Sequence, residues 1–169
     1  MTLYFVNDII KSDRGDYVSE CILLHKDICI PEKFKEISKM LQKNMEDFYY
    51  SQHMLEHLKN LTPDKSHKYF NGDIDMNSID ELIDSLTTTQ RDVFEVELTK
   101  FDTKWVVTKY CCRIPYNDNQ DLVVAIRPKK NKMSMVVTAW LNSTSDEHFT
   151  LDESKYVSKE ELEAILYRR

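Results

Sequence analysis

The stretch KWVVTKYCCRIPYNDNQDLVVAIRP, residues 104–128, decides the fold class of this 169-residue chain. It begins and ends with runs of β-branched and aromatic residues, which are enriched in strands. Between the runs lies PYNDNQ, whose proline and asparagines are typical of turns. Two strands joined by so short a turn form an antiparallel hairpin. The stretch therefore predicts the centre of an antiparallel sheet.

The flanking segments extend this sheet. VFEVELTKF at 93–101 precedes the hairpin, and MSMVVTAWLN at 133–142 follows it after the turn PKKNK. Both alternate with the period of two that marks a strand. After them, Ser158 and Glu161 have the spacing of a capping box and predict a short C-terminal helix. The C-terminal half is thus predicted as a meander of about four antiparallel strands with a short helix after it.

The first part of the chain has a different pattern. Residues 2–7 and 17–24 predict two strands that pair as an N-terminal hairpin. Residues 32–59 carry apolar side chains at spacings of three and four, which predicts a long amphipathic helix with a break near Tyr50. A second, shorter helix is predicted at residues 78–86. The predicted fold class is α+β: an N-terminal hairpin and helices, then the antiparallel meander and a short C-terminal helix.

Residues 62–77 contain proline, glycine, aspartate and asparagine, and predict a loop. This loop is the predicted seam between two parts of the chain. Residues 1–76 would form an accessory or partner-binding part with a β-hairpin and a long helix, and residues 77–169 an α+β antiparallel-sheet domain. A single compact domain is the alternative at this length.

The composition limits the function classes. The net charge is −6, yet residues 99–140 contain eight cationic and three acidic side chains, a local positive field that attracts phosphates. The four cysteines form no C-x-x-C pair, so we expect reduced thiols, no metal site and no cofactor. We find neither a membrane-length apolar run nor a secretory signal. The predicted location is the cytoplasm, with no membrane partner.

Polar and aromatic residues crowd into AWLNSTSDEHFTLDESKY at 139–156. Strict alternation along the preceding strand puts Val136, Trp140 and Asn142 on one face and Val137 on the other. The indole of Trp140 can stack on a nucleobase, and the amide of Asn142 can form paired hydrogen bonds with a base edge. The alternative for Trp140 is packing under the terminal helix.

A histidine follows this strand in an acidic loop. Asp146 and Glu147 precede His148 directly, and nearby carboxylates favour the imidazolium form that general acid catalysis needs. His148 is therefore a candidate catalytic residue. We expect Arg113, Arg127, His148 and Tyr156 to converge on one pocket if the protein is an enzyme.

The segment WLNSTSDEHFT resembles the C-terminal stretch of barnase-type microbial ribonucleases. In that family a strand ends in an aromatic pair, and a few polar residues precede an aspartate, the catalytic histidine and a threonine. The order of helices followed by an antiparallel sheet is similar too. The resemblance extends to the superfamily of barnase, EndoU, colicin and RelE-like ribonucleases, of which phages carry divergent members. It covers about residues 95–156.

This resemblance implies a metal-independent endoribonuclease, phage- or toxin-associated and acting in the host cytoplasm if phage-encoded. The 2′-hydroxyl of RNA would attack the adjacent phosphorus, and His148 would protonate the leaving 5′-oxygen. Arg113 and Arg127 would stabilise charge on the phosphoryl oxygens. Lys129 and Lys130 would hold flanking phosphates without sequence choice.

Two further roles follow from the resemblance. Thr150 and Tyr156 would bond the phosphate, or Tyr156 would stack on a base. The family also places a glutamate general base on a central strand, where this chain has no carboxylate. Glu95 and Glu97 on the preceding strand are the nearest substitutes, and Asp146 is another.

Other functions fit parts of the sequence. A non-enzymatic phage protein that inhibits a host factor would suit an acidic chain whose long predicted helix is rich in tyrosine and methionine. A protein partner or cognate inhibitor would then bind the N-terminal helical half. RNA binding on the sheet without cleavage is the third possibility.

Two other histidine patterns are weaker. His148 and Thr150 form one H-x-T triplet, whereas two-histidine phosphoesterases need two. His53 and His57 lie one helical turn apart but lack the glutamate position of an H-E-x-x-H metal motif.

Overall fold

The computed structural model describes residues 4–5, 18–26, 36–41, 48–59, 76–86, 92–129, 133–145 and 156–167. The strands are β1 (Tyr4–Phe5), β2 (Val18–His25), β3 (Phe48–Tyr50), β4 (Asp92–Phe101), β5 (Lys104–Pro115), β6 (Gln120–Arg127) and β7 (Ser134–Ser143). The helices are α1, which is helical over residues 36–41, α2 (Gln52–Lys59), α3 (Met76–Ser85) and α4 (Lys159–Tyr167). This is an α+β fold, as predicted. None of the described helices is long and apolar enough to cross a membrane.

Six strands lie side by side in one mixed sheet, in the order β2-β4-β5-β6-β7-β3. Strands β4 to β7 pair antiparallel with their sequence neighbours, which confirms the predicted meander. The sheet is mixed because β3 pairs parallel with β7, and the two-residue β1 pairs parallel with β5. Strands from before and after the predicted seam thus lie in one sheet. The seam itself falls mostly outside the described residues, and the division into two parts stays a prediction.

Two tight turns hold the centre of the meander. The turn PYNDNQ is confirmed: the Tyr116 amide donates to the Gln120 carbonyl at 3.0 Å. The β4–β5 turn holds Asp102 at φ 54°, in the left-handed region. Aspartate is one of the few non-glycine residues that tolerate this region, because its short polar side chain can bond locally.

The predicted N-terminal hairpin is not formed by the described residues. Strand β1 pairs with β5, at Tyr4 opposite Val106, and β2 pairs antiparallel with β4. Closeness in sequence favours a hairpin between the two segments, but each of them pairs with a strand far away in the chain. Strand β6 pairs with β5 only from Tyr110 onward, so it leaves the same edge of the first half of β5 open to another strand. The N-terminal strand takes that position.

The break predicted near Tyr50 in the long helix at residues 32–59 is confirmed, but the interruption is a strand, which was not predicted. Strand β3 interrupts it and adds to the outer edge of β7, with Phe48 opposite Ser134. Three consecutive aromatic residues have high strand propensity, and an available sheet edge satisfies their backbone groups. Ser51 directly precedes helix α2, and its amide donates to the Val136 carbonyl at 2.9 Å. Its hydroxyl accepts from the Met54 amide at 3.0 Å, as an N-cap does.

The helices pack on one face of the sheet. Ile37 of α1, Met54 of α2, Ile83 of α3 and Leu162 of α4 are buried in the same cluster as strand residues such as Leu122. The capping box of α4 is confirmed: the Ser158 amide donates to Oε2 of Glu161 at 2.8 Å, and the Glu161 amide donates to Oγ of Ser158 at 3.2 Å.

A polar contact ties β3 to α3 beside this core. The Tyr50 hydroxyl donates to Oδ1 of Asp80 at 2.6 Å. Burial, together with the Asp80 carboxylate, raises the pKa of Tyr50 far above its ordinary value. The phenol therefore stays protonated and available as a donor through the neutral range. The pair locks the short edge strand to the helix layer.

Candidate functional site on the polar face of the sheet

The sheet face opposite the helices carries most of the charged strand residues, and we call it the polar face. Leu122 and Leu141 belong to the helix-side core, so their strand neighbours Asp121 and Asn142 point to the other side. The same alternation puts a charged, amide or indole side chain on this face from each of the four meander strands. Its main members are Glu95, Glu97, Lys109, Arg113, Asp121, Arg127, Trp140 and Asn142.

A bulge in β7 corrects the predicted alternation of that strand. Val136 and Ala139 both lie in the helix-side core, and Val137 packs with Trp140 on the polar face. The register of β6 and β7 shifts opposite Ala125, which inserts one extra residue in β7. Val136 and Val137 were therefore assigned to the wrong faces, while Trp140 and Asn142 were assigned correctly to a common one.

The indole of Trp140 packs half-buried against a small apolar cluster on the polar face. The buried members of this cluster are Phe94, Cys111, Val123 and Ala125. Leu162 of α4 belongs to the helix-side core instead, so the alternative that Trp140 packs under the terminal helix is wrong. Trp140 lies directly opposite Val123 of β6. Its ring is thus held in place on the side of the sheet away from the helices.

Tyr156 closes the site at the outer edge of β2. It forms a parallel bridge with Leu23, and the next amide, of Val157, donates to the Leu23 carbonyl at 3.2 Å. From there its hydroxyl donates a short hydrogen bond to Oε2 of Glu95. Glu95 is 1% exposed. The structure thus joins a predicted site residue, Tyr156, to one of the two strand carboxylates considered as substitute general bases.

His25 completes this group and was not predicted. It lies opposite Glu95 in the β2–β4 register, and its ring meets that of Tyr156 edge-on at 5.9 Å between centroids. It is 0% exposed. A buried histidine beside a buried carboxylate and a phenol can exchange hydrogen bonds and protons. The available signal was positional, because His25 directly follows the strand predicted at residues 17–24 and continues its alternation from Leu23.

Cys111 adjoins the same group on the next strand, opposite Glu95 in the register of β4 and β5. Burial, and then the Glu95 carboxylate, raises the pKa of the Cys111 thiol well above its ordinary value. A protonated, buried thiol is neither a nucleophile nor a metal ligand. This fits the expectation of a reduced structural thiol at this position.

The other strand carboxylate, Glu97, has a separate set of partners. Its Oε1 accepts from the Thr108 hydroxyl at 2.8 Å, and Oε2 lies 3.7 Å from Nζ of Lys109. The Thr108 hydroxyl also bonds that of Thr99 at 2.9 Å. The Glu97 side chain is 23% exposed, against 1% for the whole residue Glu95. The two carboxylates, two positions apart on one strand, therefore differ in solvent access.

Arg113 lies between two carboxylates. Its Nε is 2.5 Å from Oδ2 of Asp92, and its Nη1 is 3.8 Å from Oδ2 of Asp121. Asp92 also pairs with Lys26 at 3.8 Å. The positive charge predicted to stabilise a phosphoryl group is thus already matched by two anions. Arg113 orders this end of the polar face.

Arg127 and Lys129 lie toward the opposite end. Arg113 is opposite Val123 in the register, and Arg127 is exposed four residues further along β6, about 13 Å away at the usual rise of a strand. The register thus separates the two arginines along the sheet, and the convergence of their side chains on one pocket stays a prediction. Lys129 donates from Nζ to the Tyr49 hydroxyl at 2.8 Å and lies 5.2 Å from the centre of that ring.

His148, Thr150 and Lys130, three of the predicted site residues, lie outside the described residues. The structure therefore places six of the nine predicted site residues and leaves their roles as predictions. Within the described ranges, no three or more histidine, cysteine or acidic side chains form a group that could hold a metal ion. No family model matches the chain, and neither a curated protein nor a solved structure matches it. The resemblance to the barnase-like superfamily stays a prediction.

Proposed function

We propose that this protein is an RNA-binding endoribonuclease of the barnase and RelE-like type, whose site is the polar face of the sheet. One observation carries the proposal: the Tyr156 hydroxyl bonds the Glu95 carboxylate on the face that also presents Arg127, Trp140 and Asn142. A carboxylate, a phenol, an arginine and an indole on one sheet face can supply proton transfer, phosphate binding and base stacking.

The proposed reaction is transesterification. Glu95 accepts the proton of the 2′-hydroxyl as its oxygen attacks the adjacent phosphorus. The bond from phosphorus to the 5′-oxygen breaks, and His148 donates the proton that this oxygen takes up. The products are a 2′,3′-cyclic phosphate and a free 5′-hydroxyl, so atoms and charges balance without a further reactant.

Burial sets a condition on this role of Glu95. Because the carboxylate is 1% exposed and accepts from Tyr156, a substrate hydroxyl must take the place of the phenol on Oε2. The Tyr156 hydroxyl therefore occupies the position that the 2′-hydroxyl of the RNA would take in the proposed reaction. Its displaced hydroxyl would then bond a phosphoryl oxygen, which agrees with the role that the resemblance implies.

Cleavage of end-labelled RNA in EDTA tests the proposal. We expect His148→Ala and Glu95→Gln each to lower the cleavage rate by roughly a hundredfold or more. Glu97→Gln is the matched control, since it removes a carboxylate from the same strand and face. We expect it to change the rate by less than about threefold. Equal rates for Glu95→Gln and the wild type would exclude Glu95 as the base.

A second candidate is a non-enzymatic protein that binds and inhibits a host factor. It is favoured by the internal partners of the key groups: Arg113 lies between Asp92 and Asp121, and Glu95 is buried against Tyr156. Such pairs are also common in purely structural networks. The test is whether folded wild-type protein leaves RNA intact under conditions in which a control ribonuclease cleaves it. That result would favour this candidate over the ribonuclease. Its partner surface would be the N-terminal half.

A further inference from the structure

The two ends of the polar face differ in charge. At one end, Lys26 and Arg113 are matched in number by Asp92 and Asp121, which they contact within 3.8 Å. At the other end lie Lys109, Arg127 and Lys129, which we call the basic end. The only described carboxylate that pairs with any of the three is Glu97, 3.7 Å from Lys109. Counted over the described residues, the basic end thus has a surplus of two positive charges, whereas the whole chain has a net charge of −6.

The register places these cations together. Tyr110 of β5 is opposite Ile126 of β6, so Lys109 and Arg127 are the next residues on the two paired strands. Tyr110 and Ile126 are both buried in the helix-side core, and alternation therefore turns Lys109 and Arg127 to the polar face. Like charges in this arrangement repel one another and gain from an anion between them.

The third cation, Lys129, is held in place without being neutralised. Its ammonium group donates to the hydroxyl of Tyr49 at 2.8 Å and lies 5.2 Å from the centre of that ring. Phe48 and Tyr50 pack toward the helix-side core, so Tyr49 faces the polar side of the sheet. A lysine whose side chain is already ordered loses less conformational entropy when it binds a phosphate than a freely moving lysine does.

Trp140 lies along the sheet from the basic end. It is opposite Val123, four residues before Arg127 on β6, which is about 13 Å along the strand. The indole is half-buried against Val123 and its cluster, and so is fixed in orientation. An aromatic platform combined with cations on one surface binds single-stranded nucleic acid, by stacking and by phosphate contacts.

We infer that a single RNA strand lies across the polar face over β5, β6 and β7, with its phosphates on Lys109, Arg127 and Lys129 and one base on Trp140. This inference rests on the proposed function for its choice of ligand, and it adds the path that the RNA strand takes across the sheet. Arg113, whose charge is matched, is not a phosphate contact on this path. Trp140 and Arg127 lie about 13 Å apart along this path.

Binding can be measured apart from cleavage. A fluorescein-labelled 2′-O-methyl oligonucleotide lacks the attacking hydroxyl, so the full-length protein binds it without turnover. We expect Arg127→Gln to weaken binding about fivefold in low salt and to make the salt dependence shallower by about 0.7 in log–log slope. Lys39→Gln, at an exposed lysine of α1, removes the same charge and should leave affinity within about twofold. Arg113→Gln should resemble this control.

The stacking platform has its own readout, because the chain contains two tryptophans. Trp105 is 6% exposed in the helix-side core, so a Trp105→Phe variant reports on Trp140 alone. We expect its fluorescence to be quenched as the oligonucleotide binds. Trp140→Phe keeps a ring and should retain most of the affinity, whereas Trp140→Ala should lose about tenfold. Near-ultraviolet circular dichroism checks that both variants are folded.

The outcomes separate the path from the function. Loss with Arg127→Gln but not with Lys39→Gln, together with quenching, supports the path. Equal losses for both variants would mean attraction by overall charge alone and would overturn it. Binding that depends on Arg113 instead would also overturn the path but leave the proposed function standing. No binding together with no RNA cleavage would remove both, and preferential binding to anionic vesicles would indicate a membrane-surface ligand instead.

Discussion

The hydroxyl of Tyr156 donates a hydrogen bond to Glu95 across 61 positions of sequence, and it does so where the C-terminal segment meets the edge of β2. The acceptor lies on the polar face between His25 and Cys111, its register neighbours on β2 and β5. This contact therefore joins the segment before α4 to the centre of the proposed site. Its removal tests both the stability of the fold and the access to Glu95.

Tyr156→Phe should lower the free energy of unfolding by about 1–3 kcal/mol, because it leaves a buried carboxyl oxygen without the phenol donor. Urea unfolding followed by circular dichroism measures this. Tyr116→Phe is the control: Tyr116 is also half-buried and packs against the core, but no described group bonds its hydroxyl. It should change stability by less than about 0.5 kcal/mol. Similar losses for both variants would mean that the contact adds little.

Cys111 gives the protein a predictable pH dependence. Its folded-state pKa lies above the unfolded value because burial and Glu95 disfavour the thiolate. The stability that the thiol contributes is complete below the unfolded pKa, near 8.5, and is lost as pH rises above it. Relative to Cys111→Ala, the wild type should lose up to about 1.4 kcal/mol per pH unit there.

Paired urea titrations of wild type and Cys111→Ala at pH 7.5 and 9.5 measure this difference. Titration of the lysines and of the other tyrosines is common to both proteins and cancels. A constant difference between the two pH values would show that the thiol ionises equally easily in the folded and unfolded states.

The local part of the fold was readable from the sequence. Strands β4 to β7 have their own period-two patterns and short turns, so each hairpin is specified by adjacent residues. Strands β1 and β3 are two and three residues long and pair parallel with distant strands, which no local pattern encodes. The bulge at Val137 likewise depends on how β7 fits β6. Trp140 and Asn142 both come after that bulge, so the alternation between them is undisturbed and the prediction that they share a face is correct.

The site was predictable only in its components. Arg113 and Arg127 were grouped by charge and residue type, yet register separates them, and Asp92 and Asp121 match the charge of Arg113. No sequence pattern marks these two acids, and they become partners of Arg113 only through the alignment of the strands. Cross-strand partners are set by pairing, and pairing is long-range information.

Arg113 should matter more for stability than for RNA binding. Arg113→Ala leaves Asp121, which is 7% exposed, without its guanidinium, and a buried carboxylate that loses its partner is costly. We expect a loss of about 1–3 kcal/mol. Asp121→Asn in the same background should recover part of it, because it removes the buried negative charge that the guanidinium had offset. The two single variants and the double variant, compared by urea unfolding, give the coupling; additive losses would contradict it.

The β4–β5 turn offers a stabilising substitution. Asp102 is exposed and adopts φ 54°, where glycine is free of the steric cost that its side chain carries. Asp102→Gly should therefore raise the free energy of unfolding by up to about 1 kcal/mol, and Asp102→Val should lower it by about 1–2 kcal/mol, since a β-branched residue is least tolerated there. Thr103→Val, at the exposed neighbouring position, controls for adding an apolar side chain to the turn. A loss of stability in Asp102→Gly would show that the aspartate side chain contributes more to this turn, through its local polar contacts, than the left-handed backbone costs it.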